Sequence, residues 1–277
     1  MRRSVAVLVM AVLLWAAAPL AQDGSADGAR RRNLDQLLDL YVRDGLVYYR
    51  ALKSDRRLLD GYINALGGAS VASAPRAEQI AFWLNAYNAL VLRTVIDHYP
   101  IGSRSNDYPA RSVRQIPGAF EGLKHQVAGR SLTLDQIEQT ILPGFADPRV
   151  FLALGRGAVG SGRLRSEAFA PETIDEQLAE AAAECVSHAQ CMSIDRGNNK
   201  IAISSVFSWR SKEFAAAYAD KAPSVFGARS PIERAVLAFV EPKLTIIEKD
   251  FLARNDFKVE FSRFDWSLND LTGRGGR

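Results

Sequence analysis

Between Pro75 and Pro100 lies a segment, Phe82-Trp83-Leu84-Asn85-Ala86-Tyr87-Asn88-Ala89-Leu90-Val91, that is apolar around nearly its whole helical circumference. A helix with no polar face belongs in the interior, covered by the rest of the chain. Pro75 opens this helix and Pro100 stops it after Tyr99. The cover is available: the chain has 277 residues, 48% of them hydrophobic, enough to bury a sizeable core. Asn85 and Asn88 are the polar exceptions and share a helix face at i, i+3. A buried amide without a partner costs about 1–3 kcal/mol, so both must be hydrogen-bonded. Either they pin neighbouring loop backbone or they line a polar cleft.

Around that helix the pattern is mixed. Leu34, Leu37, Leu38 and Tyr41 repeat at helical spacing over 33–42, and a mixed helical stretch over 51–66 ends at Gly67-Gly68. A short helical piece is expected at 113–116 and a strand at 125–128. Thr133-x-x-Gln136 and Thr173-x-x-Glu176 read as capping boxes, the first for a helix through Ile141. The run 147–154 suits a buried helix or strand. Two strands, 191–194 and 200–204, flank Asp-Arg-Gly-Asn-Asn as a hairpin. Helices follow at 207–218, after Ser230-Pro231-Ile232-Glu233 and after Pro242, then an alternating strand at 257–261. Without regular βαβ alternation this is an α+β fold, mostly helical, one domain over 33–272 with a small antiparallel sheet. Residues 22–32, rich in Gly, Asp and Arg, read as a flexible lead.

The N-terminus has an address. Arg2-Arg3, an apolar run of about 15 residues and the small-residue stretch ending at Ala21 read as a signal peptide over 1–21. The run is shorter than the roughly 20 residues a membrane span needs, and no later stretch reaches that length. The expectation is a secreted protein, periplasmic, with no membrane span after cleavage. Removing the leader leaves 33 basic and 31 acidic residues, a charge of +2, which gives no footing for a nucleic-acid partner. In an oxidising compartment Cys185 and Cys191 can pair and staple a helix end to a strand. His188 between them supplies only a third local ligand, so no metal and no cofactor are expected.

The chain resembles the DUF547 family. The likeness rests on the Phe82–Ala89 block, VAGRSLTLDQIE from Val127 to Glu138, Asp147-Pro148-Arg149, Ala158-Val159 and Leu164 to Phe169. Ser205-Val206-Phe207 with Trp209, and Asp265 to Asn269, complete the series. The resemblance implies a Cys and a His that would look like a thiol nucleophile and its base, as in a papain-like or transglutaminase-like hydrolase. This chain departs there. Gln139 stands where the resemblance implies a His, Arg156 and Ser161 where it implies cysteines, and Phe151 where it implies another His. A Gln amide takes up no proton near neutral pH and cannot serve as a general base.

The expected reading is therefore a catalytically degenerate binding module acting on an unknown ligand or envelope protein. Its cleft would draw on Asn85, Asn88, Asp135, Glu138, Gln139, Arg149, Arg156, Arg165, Trp209 and the 155–165 loop. The alternative is a hydrolase or transferase in which Ser161 replaces the thiol. Arg149, Arg156, Arg163 and Arg165 could together bind an anion, or could pair with Asp135, Glu138 and Glu167. Asp135 also suits the first turn of its helix on dipole grounds. Gly155 to Arg163 lacks the Gly-Lys-Ser/Thr of a phosphate loop and the Gly-x-Ser-x-Gly of a nucleophile elbow. Trp209 and Trp266 read as core, with a ligand platform as the minor alternative.

Overall fold

The computed structural model describes residues 26–272. The signal peptide expected over 1–21 lies outside the described residues. Helix α1 (Ala26–Tyr41) leads into the small hairpin β1 (Val42–Arg43) and β2 (Leu46–Val47), then α2 (Tyr49–Ser54) and α3 (Arg57–Leu66). The lead expected to be flexible is thus helical from Ala26 onward. Gly28 is buried, and Arg31 is ion-paired with Glu172 at 3.5 Å, so the basic run has a surface to lie on.

Helix α4 (Arg76–His98) is the central element, with every residue from Ile80 to Leu92 buried. It packs against α2 and α3, and it also meets the segments that follow β3 (His125–Val127) and β4 (Arg130–Leu132). A single 3-10 turn at Val113–Gln115 precedes that hairpin.

The expected capping box at Thr133 and Gln136 is present and starts α5 (Leu134–Gln136). Instead of continuing as α-helix, the backbone widens into a π turn over Ile137–Ile141. The apolar run after Asp147 is a 3-10 helix, Pro148–Leu152, capped by the Asp147 side chain. Thr173 forms no side-chain cap; a 3-10 turn beginning at Pro171 feeds α6 (Ile174–Ser187) instead.

The expected hairpin forms from β5 (Met192–Asp195) and β6 (Lys200–Ser204), with Met192 opposite Ile203. Beyond it come α7 (Ser205–Trp209), α8 (Ser211–Tyr218), α9 (Pro231–Val240) and α10 (Ile246–Ala253). The last strand, β7 (Lys258–Ser262), returns beside β6 in parallel, so this three-stranded sheet is mixed. A parallel neighbour needs a long crossover, and the helices α7 to α10 supply it. The capping boxes at Ser230 and Thr245 start α9 and α10.

After β7 the chain crosses back over the 155–163 loop and β2. Val159 N–H donates to Ser267 O at 2.8 Å, Gly160 N–H to Asp265 O at 2.9 Å and Val47 N–H to Asn269 O at 2.8 Å. The tail is fastened in turn by Tyr49 Oη donating to Asn269 Oδ1 and Tyr99 Oη to Asp270 Oδ2, both 2.7 Å. Gly162 is the tight point of this loop: a Cβ there would stand 1.6 Å from the Leu152 carbonyl oxygen. Among the described residues no helix is long and apolar enough to cross a membrane.

Candidate functional site

The 155–163 loop is built on α4. Asn88 Oδ1 accepts from Gly155 N–H at 2.8 Å, and its amide donates to Ala153 O at 3.2 Å. Asn85 does the same for the next segment, exchanging two 2.8 Å bonds with the backbone of Phe169. Both amides are buried and both are spent on backbone. They clamp loops to the central helix and do not line a cleft, so the cleft-lining role is corrected to the pinning one.

From the loop's first residues Arg156 turns inward, with a side chain 2% exposed. It meets Glu138 through Nη2 at 2.7 Å and Nε at 3.2 Å. Arg210, at the end of α7, reaches the same carboxylate at 2.9 Å. Tyr87, between Asn85 and Asn88 on α4, donates its hydroxyl to Glu138 Oε2 at 2.8 Å. Phe151 completes the group: its carbonyl accepts from Arg156 Nη1 at 3.4 Å, and Arg210 lies over its ring at 4.3 Å.

Burial alone would raise the Glu138 pKa, but the two guanidiniums outweigh it and hold the carboxyl down to about 2. Burial likewise works against the Arg156 charge, and Glu138 outweighs it, so that pKa lies above its ordinary value. Tyr87 is pushed well up by burial and by the neighbouring carboxylate. Nothing in this group changes protonation near neutral pH. Asp135, three residues before Glu138 and half-buried, has its pKa raised by burial and by the charges of Glu121 and Glu138.

Thus Phe151 and Arg156, two positions where the resemblance implies a His and a Cys, do converge. They converge on an ionic clamp around Glu138. Gln139, the remaining candidate of that set on the π turn, is exposed.

Ser161 lies elsewhere on the loop. Its Oγ accepts from Arg156 N–H at 3.0 Å and lines a cleft of about 370 Å³. The opposite wall is the end of α6 and the start of β5, with Glu184, His188 and the cysteine pair, and Ser204 contributes a second hydroxyl. Cys185 and Cys191 are joined, their Cα atoms 5.1 Å apart, so the staple expected between helix and strand forms a side of this cleft. His188 Nδ1 is within 2.7 Å of the Glu184 carbonyl oxygen. The other histidines are remote in role: His98 Nδ1 contacts Thr94 O at 2.9 Å, and His125 is held below its ordinary pKa by burial and by Arg93.

The four arginines do not form one anion site. Arg149 is taken by Asp147 at 2.7 Å and Asp175 at 2.9 Å, and Arg165 by Glu167 and Glu180. Arg163, which does line the cleft, is shared between Asp44 at 2.9 Å and Glu184 at 3.3 Å. Trp209 is 46% exposed and stacks with Phe264 and Trp266 at the surface, which corrects its expected place in the core. The described residues contain no group of three or more His, Cys, Asp or Glu placed to hold a metal ion.

Tyr87 and Arg210 were not among the candidates read from sequence. A phenol in an otherwise apolar helix does signal a buried partner. Arg210 gives no such signal, because its partner is 72 residues away. A family model described as "Protein of unknown function, DUF547" matches residues 71–186, which include α4, Glu138, the 155–163 loop and Cys185. No curated protein and no solved structure matches the chain.

Proposed function

We propose, for a chain that belongs over residues 71–186 to the DUF547 family, that it is an exported and catalytically degenerate binding module. Its ligand or protein partner is taken in the cleft beside Ser161. The observation that carries this reading is the state of Glu138. Its oxygens are occupied by Tyr87, Arg156 and Arg210, and with a pKa near 2 it takes up no proton at neutral pH. Where the resemblance implies a thiol and a base, this chain has a buried ion cluster centred on Glu138.

The cleft itself remains open. At about 370 Å³ it falls in the range of small-ligand sites, and it mixes Leu152, Val206 and the cysteine pair with the polar groups of Ser161, Ser204 and Arg163. Export rests on the basic and apolar N-terminal pattern, with the periplasm as the compartment, and the paired cysteines agree with it.

One observation favours a second reading. Ser161, His188 and Glu184 line the same cleft, so a serine hydrolase or transferase with His188 as base is a coherent alternative. Treatment with a fluorophosphonate, which phosphonylates an activated serine hydroxyl, separates the two. The binding module is expected to stay unmodified by intact mass. An adduct mapped to Ser161, absent in Ser161→Ala and diminished in His188→Ala, would overturn it in favour of the hydrolase.

A further inference from the structure

A second recess shares no lining residue with the Ser161 cleft. Its floor is aromatic. Trp209 and Trp266 stack with centroids 6.1 Å apart and planes 20° from parallel, and Phe264 touches both, at 4.9 and 4.5 Å. Tyr108 meets Trp266 edge-on at 6.2 Å. The rings are held by cations. Arg114, ion-paired with Glu121, lies 4.5 Å from the Trp266 ring, and Arg156 lies 5.9 Å from Trp209. Trp209 nevertheless keeps 46% of its surface in water. Aromatic side chains left exposed together on a fixed support mark an interaction site more often than a packing fault.

The groove over these rings holds about 440 Å³, and Asp107, Ser205 and Arg263 bring polar groups to it. Ser205 lines the groove, and its Oγ is buried from solvent without a hydrogen-bond partner. Arg263 is exposed. An apolar helix or lipid chain would leave these groups unpaired. A phosphate-bearing ligand would face Asp107 and Asp265.

The pattern suits a ligand that is apolar on its faces and hydroxylated around its edge. A pyranose with equatorial hydroxyls has that form, because its axial C–H bonds cover both faces. We propose that the Trp209–Phe264–Trp266 groove is a binding site for a β-linked, gluco-configured oligosaccharide. The sugar stacks on Trp209, Asp107 accepts from ring hydroxyls, and Arg263 donates to the remainder.

Cellotetraose is the probe. In protein lacking residues 1–21, which carry Trp15, the tryptophans are Trp83, Trp209 and Trp266; Trp83 is buried, so a fluorescence change on titration reports on the other two. A saturable blue shift is expected with a dissociation constant of about 1 mM. Saturation-transfer NMR on the sugar protons gives a readout independent of tryptophan. By that measure Trp209→Ala, shown to be folded by circular dichroism, binds about tenfold more weakly or not at all. Mannotetraose, whose axial 2-hydroxyl interrupts the apolar face, binds more weakly than cellotetraose. Ser161→Ala binds as the unmodified protein does, which keeps this test separate from that of the cleft. No saturable response to cellotetraose, or undiminished binding by folded Trp209→Ala, overturns the proposal.

Discussion

Arg156 and Arg163 belong to one loop, seven residues apart, and each pairs with carboxylates. The side chain of the first is 2% exposed and that of the second 40%. Arg156 shares Glu138 with Arg210 and Tyr87 in a buried group. Arg163 shares Asp44 and Glu184 at the mouth of an open cleft. The same chemical pair therefore does different work. Buried, it is a structural commitment, because either partner alone is intolerable to the interior. At the cleft, water screens it, and its partners can be exchanged for a ligand at little cost.

That contrast orders the expected effects of substitution. The largest belongs to Glu138→Gln, which keeps the shape but leaves two buried guanidiniums facing a neutral amide. A loss of about 3–5 kcal/mol is expected by urea denaturation, and a loss below about 1 kcal/mol would remove the distinction between the two regions. Asn85→Ala comes next, at about 2–3 kcal/mol, because the N–H and C=O of Phe169 both lose their partner in the interior.

On the cleft side, replacing Cys185 and Cys191 together by serine is expected to cost about 2 kcal/mol, the value for closing so short a loop. Reducing agent should lower the thermal midpoint of the unmodified protein and leave that of the double variant unchanged. The smallest effect is expected for Arg163→Ala. Solvent reaches it and its partners Asp44 and Glu184, so the change should stay within about 1 kcal/mol and shrink further with added salt.

Much of this fold is legible without coordinates, and the reason is local. The all-round apolar run of α4, the Thr133 and Ser230 capping boxes and the β5–β6 hairpin are each written within a few residues. The Asn85 and Asn88 pair is legible as a need for partners, though not as to which ones. What escapes sequence reading is set by pairing at long range. Glu138 looks like an ordinary acid near the start of a helix until Arg210, 72 residues on, and Tyr87, 51 residues back, close around it. The widening of the helix into a π turn after Gln136 has no sequence signature read beforehand, and within it Glu138 is buried while Gln139 is exposed. Thr173 misleads in the opposite direction: the box is spelled, but Pro171 starts a 3-10 turn and the cap bond is not made.

The clamp role of Glu138 is tested most directly by unfolding free energy against pH, measured for the unmodified protein and for Glu138→Gln. The folded-state pKa of Glu138 lies near 2, below the roughly 4.3 of an unfolded glutamate. Its charge thus adds stability above the unfolded value, and that contribution is lost as pH falls through the folded one. The gap between the two proteins should be full at pH 7, narrow from about pH 4.3 downward and approach its minimum near pH 2. A gap that is small at pH 7, or that stays constant across this range, would contradict a carboxylate held ionised between Arg156 and Arg210.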